Sequence, residues 1–119
     1  MTQESKAKRL VAATRRYLRG YARIHEQQRR AIDSHHAALN RAEQDHGYYG
    51  WLRTSEQITK LNEKMHAHVV ACPTSVRDFI LQPREDADGP DDLMFNAVGE
   101  AMYAQALAEI GGEDWEFSE

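Results

Sequence analysis

Apolar residues recur at helical spacing through the first 46 residues of the chain. Over residues 4–46 they fall within about 60° of one line when each residue turns the helix by about 100°, and so they form the single stripe of an amphipathic helix. The pattern predicts one long helix, or two helices joined near Gly20. The members of the stripe are Leu10, Tyr17, Leu18, Tyr21, Ile24, Ile32 and Leu39.

A second helix is predicted after a short turn over residues 47–53. We expect Gly47 to end the first helix in the left-handed conformation that glycine tolerates. Thr54 or Ser55 is the expected N-cap, because a hydroxyl oxygen accepts a hydrogen bond from the free N–H groups of the first turn. The helix then runs to about Cys72, where Pro73 stops it.

Two shorter helices complete the pattern. A third helix is predicted over about residues 75–82, followed by a loop over residues 83–92. We expect the last helix to open at Asp91 and Asp92, where the helix dipole favours negative charge, and to run to Ile110.

The last helix carries an unusual face of small side chains. Such a face lets helices approach closely, and the helix is apolar nearly all round, so it is either the core helix or an oligomer interface. The fold class predicted is all-α: a long antiparallel helical hairpin, a short helix and a C-terminal apolar helix. We assign residues 1–112 to one helical domain and residues 113–119 to an acidic-aromatic tail. The small face consists of Leu93, Ala97, Ala101, Ala104 and Ala108.

Composition indicates a thin hydrophobic core. Only 21 of the 119 residues are Leu, Ile, Val or Phe, and the net charge is −4. The first value is low for a globular chain, while the second is too small to favour disorder. A bundle that is completed by a partner or by a second copy of itself fits both values, and we expect a homo-oligomer formed through the C-terminal helix.

Several functional classes find no support in the sequence. No apolar run is long enough to span a membrane, and no apolar signal stretch lies in the first 30 residues. The lone Cys72 excludes an intrachain disulfide, so we expect a cytoplasmic protein. No phosphate-binding loop, zincin motif or catalytic triad is present, and we predict neither catalytic residues nor a cofactor.

Acid–histidine pairs suggest a metal-binding bundle, which we keep as a third alternative. A spacing of three places both side chains on one helix face, as in di-metal carboxylate bundles. However, the acids and most of the histidines fall away from the apolar stripes, and only His68 faces the helix seam, where we expect it to meet His35 or His36. We therefore predict no metal ligands. The pairs are Asp33 with His36, Glu43 with His46 and Glu63 with His66.

Charge is divided unevenly along the chain. Residues 1–50 carry ten basic and five acidic side chains, whereas residues 51–119 carry five and fourteen. Such a division favours pairing between the two halves or an acidic partner. Because a basic helix can follow phosphates, the second alternative is non-specific nucleic-acid binding through the first helix, with Arg16, Arg19 and Arg23 as contacts.

Aromatic residues at two places favour protein binding, which is the leading hypothesis. Tyr48, Tyr49 and Trp51 cluster in the turn of the hairpin, and Trp115 and Phe117 alternate with acids in the tail. Tyrosine and tryptophan are enriched at interface hot spots. We therefore expect a small interaction module that occludes a macromolecular partner, of the type that mobile genetic elements encode as accessory or inhibitor proteins.

Overall fold

The computed structural model describes residues 2–88 and 92–111 and confirms the all-α class. The long helical hairpin, the short third helix and the C-terminal helix are all present, and a small two-stranded ribbon is added to them. None of the helices in the described part of the chain is long and apolar enough to cross a membrane. The elements are α1 (Gln3–Gln44), α2 (Gly50–Val70), α3 (Thr74–Ile80), β1 (Leu81–Pro83), β2 (Leu93–Phe95) and α4 (Ala97–Gly111).

Helix α1 is continuous through Gly20, which settles the choice between one helix and two. A Cβ at Gly20 would stand 2.7 Å from Cε1 of His68 on α2, so the glycine makes room for a neighbour and does not break the helix. The predicted role of Gly47 is wrong. The helix ends at Gln44 because Asp45 is extended, with φ −133° and ψ 98°, and Gly47 has no positive φ.

Helix α2 begins earlier than its hydroxyl residues suggested. Its first residue is Gly50, with Tyr49 as the N-cap, so the prediction of Thr54 or Ser55 as the cap is wrong. The Thr54 hydroxyl instead donates to the Trp51 carbonyl at 3.0 Å, inside the helix. Trp51 therefore belongs to the first turn of α2 and not to a loop.

The ribbon replaces the predicted start of the last helix. Strands β1 and β2 pair antiparallel, with Leu81 opposite Phe95 and Pro83 opposite Leu93. Helix α4 starts at Ala97 because the Asn96 side chain caps it, accepting from the backbone N–H of Gly99 at 2.8 Å. The prediction that the helix opens at Asp92 is therefore wrong, and Asp91 and the tail 113–119 lie outside the described residues.

The core lies where α3 and α4 pack on the first half of α1. Helix α4 runs antiparallel to α1, since Glu109 is close to Arg19 and Tyr103 is close to Tyr21. The face that α4 turns inward is not the predicted small face, because its alanines are exposed. The buried apolar residues of these elements, with those of α4 last, are Tyr17, Leu18, Ala22, Ile24, Cys72, Val76, Ile80, Gly99, Ala106 and Ile110.

Beyond this core, the hairpin continues as a two-helix arm. The radius of gyration is 17.9 Å and the longest extent is 64 Å, whereas a compact chain of this length has a radius of about 13.5 Å. Ala31 and Ala38 are buried in the arm, while Ile32 and Leu39 are 42% and 40% exposed. The apolar stripe predicted for α1 therefore faces the core only in its first half.

We predict that Gly99→Ala destabilises the fold. A Cβ at this position would collide with the backbone carbonyl oxygen of Ile80 and stand 3.1 Å from the Ile80 Cβ. Backbone atoms cannot move aside cheaply, so the free energy of unfolding should fall by about 1–3 kcal/mol. Urea unfolding followed by circular dichroism measures it.

Gly111→Ala is the matched control for this substitution. The position ends the same helix, and a Cβ there would meet no atom within 4 Å. Its free energy of unfolding should therefore stay within about 0.5 kcal/mol of the parent value. Equal losses in the two variants would contradict the close packing of α4 on α3.

Candidate functional site

A line of apolar side chains runs along α1 from the base of the hairpin into the arm. Ile32 and Leu39 lie 11 and 18 residues beyond Tyr21 on α1, which places all three within about 20° of one line along the helix. Tyr21 is covered by Phe95 and Tyr103, at ring-centroid distances of 5.4 and 5.6 Å. Farther along the same line, Ile32 and Leu39 remain exposed.

Helix α2 carries a matching line on the same side of the hairpin. Ile58 and Trp51 precede Val69 by 11 and 18 residues, and Val69 lines a cavity together with Tyr21. The Trp51 and Ile58 side chains are half-buried. Helical spacing puts Ile32, Leu39, Trp51 and Ile58 on one side of the hairpin, and we call the surface between these four side chains the arm groove.

The aromatic residues at the hairpin tip separate into different environments. Tyr49 is 64% exposed, as expected for a contact residue. Tyr48 is half-buried, and the Arg41 guanidinium lies 4.3 Å from its ring centroid. Trp51 belongs to the arm groove, so the predicted cluster contributes one side chain to the groove and one to the exposed tip.

The predicted basic contacts on α1 are partly engaged within the chain. Arg16 is exposed, while Arg19 forms an ion pair of 3.8 Å with Glu109, and Arg23 also has an interaction partner. The Arg19 pair is a contact between the basic and acidic halves that the charge division predicts. The tail residues Trp115 and Phe117 lie outside the described part of the chain.

The histidines at the seam are held by hydrogen bonds. The His68 Nε2–H donates to the Tyr17 carbonyl at 2.9 Å, and His35 Nδ1 is 2.8 Å from the Thr54 hydroxyl. The expectation that His68 meets His35 or His36 is therefore wrong. Asp33 lies instead in an ion pair with Arg29, and within residues 2–88 and 92–111 no three His, Cys, Asp or Glu side chains group as a metal would require.

A buried polar cluster joins α1, α2 and α3 beside this seam. The Tyr17 ring stacks on His68, with centroids 4.6 Å apart and planes 2° from parallel, and its hydroxyl donates to the Cys72 sulfur. Burial raises the pKa of the Tyr17 phenol and of the Cys72 thiol, although the nearby Arg77 guanidinium opposes both shifts. The thiol itself donates to the Pro73 carbonyl at 3.6 Å.

The cluster is suited to holding the helices together and not to nucleophilic chemistry. A reactive thiol needs access and a lowered pKa, whereas Cys72 is 7% exposed and its pKa is raised. Sequence reasoning missed this cluster, although Gly20 inside a long helix and His68 on an apolar stripe were its two signals.

Comparisons with known proteins return no match: no family model fits the chain, and no curated protein or solved structure resembles it significantly. Function is therefore inferred from the chain's own geometry.

We predict that Cys72 resists thiol reagents in the folded protein. Its sulfur is buried and little of it is thiolate at pH 8, so modification requires local opening. Reaction with Ellman's reagent should be roughly 100-fold slower in buffer than in urea. The absorbance of the released thiolate measures the rate.

A matched control places the thiol two residues away at an exposed position. Val70 is 64% exposed, so Val70→Cys in a Cys72→Ser background should react at nearly the same rate in buffer and in urea. If native Cys72 reacted as fast as this control, the packing of the cluster would be refuted.

Proposed function

We propose that the protein is an interaction module that binds an apolar helix of another protein in the arm groove. The observation that carries this proposal is the exposure of Ile32 and Leu39 on the line that α4 and β2 cover at Tyr21. At the base of the hairpin, Phe95 and Tyr103 cover Tyr21. A partner helix would cover Ile32 and Leu39 in the same way farther along the arm. The lone Cys72 fits a reducing compartment, and we propose the cytoplasm as the location.

The groove is suited to recognition of an amphipathic helix. Such helices dock their apolar face into a groove through residues spaced three, four or seven apart, and Ile32 and Leu39 are seven apart on α1. Tyr49 is exposed at the tip of the hairpin, which adds an aromatic contact. Occlusion of the partner's helix in the groove would give the inhibitory action predicted from the sequence.

Leu39→Glu is expected to weaken this binding without unfolding the chain. The substitution places a charge in the apolar groove, so the Kd for the purified partner should rise tenfold or more. The side chain is 40% exposed, and the melting temperature should change little. The partner is first captured from the native host and identified by mass spectrometry, and its Kd is then measured by calorimetry.

Ala37→Glu is the matched control on the same helix of the arm. Ala37 is exposed and points away from the groove, so its Kd should equal that of the parent. Arg16→Glu tests the nucleic-acid alternative in the same assay. A captured complex that is lost with Arg16→Glu or with nuclease, and is kept with Leu39→Glu, would replace the proposed function with nucleic-acid binding.

We further propose self-association through the outer face of α4. Ala97, Ala101, Ala104 and Ala108 are exposed along one face of this helix, beside the 44% exposed Val98. Small side chains let two helices approach closely, which compensates for the small apolar area of each.

Ala104→Glu is expected to abolish the dimer. Sedimentation velocity of the parent protein should show a sedimentation coefficient that rises with concentration, whereas the variant should stay monomeric. Ala12→Glu places the same charge on an exposed position of α1 and should leave the dimer intact. A parent protein that remains monomeric at its highest attainable concentration would contradict self-association.

A further inference from the structure

A cavity of about 720 Å³ opens at the base of the arm groove. It lies between α1, α2, α3 and the two strands, and Tyr17 and Tyr21 form its wall on α1. This volume falls within the range of about 300–1,000 Å³ that is usual for small-molecule sites. The cavity is therefore large enough to receive a small ligand and not only water.

The walls of the cavity are mostly apolar and include side chains that water reaches. Val70 is 64% exposed and Met94 is 39% exposed, and Leu81 and Phe95 complete the apolar surface between them. Exposed apolar side chains gathered in a concave site favour an occupant that buries them. An aliphatic chain meets this requirement.

One permanent cation faces the same cavity. The described polar contacts of Arg77 are the Val69 carbonyl, at 3.4 Å from Nη2, and the Cys72 thiol, and both are neutral groups. His66 also lines the site, and neither Asp nor Glu occurs among the described residues that line it. The guanidinium presents several N–H donors in a plane, which matches a carboxylate.

We propose that this cavity binds a small aliphatic carboxylate, with its chain between Val70, Met94 and Phe95 and its carboxylate on Arg77. The apolar walls exclude a highly charged ligand such as a nucleotide, because most of its phosphates would lose water without gaining a partner. The single cation selects a single anionic group. This site is separate from the surface proposed for the protein partner, although the arm groove leads into it.

Three probes of equal chain length test the charge requirement: octanoate, 1-octanol and octylammonium. Each is titrated into the intact chain, and methyl resonances of Val70, Met94 and Ile32 are followed by NMR. Octanoate should shift the methyl resonances of Val70 and Met94 but not that of Ile32. Its Kd should be about tenfold lower than that of 1-octanol. Octylammonium should bind more weakly than either.

Substitutions distinguish the contribution of the Arg77 guanidinium to octanoate binding from that of the apolar walls. Arg77→Gln should bring the Kd of octanoate to that of 1-octanol, while Arg16→Gln on the exposed face of α1 should leave it unchanged. Val70→Glu places an anion among the lining residues at a position that is 64% exposed, so the variant should keep the fold. The Kd of octanoate should rise about fivefold or more, because the two carboxylates repel each other. This variant therefore tests the site even where Arg77→Gln impairs folding.

Three results would overturn the proposal. The first is equal affinity of the parent protein for octanoate and 1-octanol, and the second is no shift of Val70 and Met94 with octanoate. The third is a change in the Val70 and Met94 resonances with protein concentration alone, which would mean that a second copy covers the cavity. Displacement of octanoate by the captured partner, seen as octanoate resonances that return to those of the free probe, would support the site and show that the partner reaches it.

Discussion

The stack of Tyr17 on His68 fixes the position of α1 against α2, and the rest of the structure depends on it. The ring of His68 lies against Gly20, where any side chain would push it away, and its Nε2–H reaches the Tyr17 carbonyl at 2.9 Å. An α-helical carbonyl already accepts one backbone bond, so this second bond uses its remaining lone pair. The contact holds the end of α2 where Cys72, and then α3, enter the core beneath the cavity.

The arm is thin because alanines occupy its seam. Ala31 and Ala38 are almost fully buried there, while the larger Ile32 and Leu39 are turned to the side. Small seam residues bring two helices close together, which leaves large neighbours on the outer edge of the contact and creates a groove instead of a filled core. At the base of the hairpin, aromatic rings from β2 and α4 fill the equivalent position. Within residues 2–88 and 92–111, the two ends differ because a third layer packs on the hairpin at its base and not along the arm.

Periodicity was sufficient to predict the helices and their order, and it failed where a local interaction or a distant neighbour decides the outcome. The stripe on α1 correctly contained the buried residues Tyr17, Leu18 and Ile24. A stripe does not determine how far along the helix other elements pack against it. The ribbon was missed because three-residue strands carry too short a pattern, and Asn96 caps α4 through its own side chain. For the candidate site, the role of Trp51 as an aromatic contact stays a prediction. The arm groove could not be predicted, because it depends on the register of two helices, which periodicity within one helix does not determine.

Charge contributes less to the arm groove than shape does. On the described part of α1 beside it, Arg29 contacts both Glu26 and Asp33, and Arg30 contacts Glu26, so these charges are largely neutralised within their own helix. Exposed pairs of this kind are worth little and are screened by salt. A partner that docked by charge would have to displace them, whereas a partner that docks on Ile32 and Leu39 leaves them intact and buries only apolar area. The arrangement therefore favours a partner selected by the spacing of its apolar side chains over one selected by its net charge.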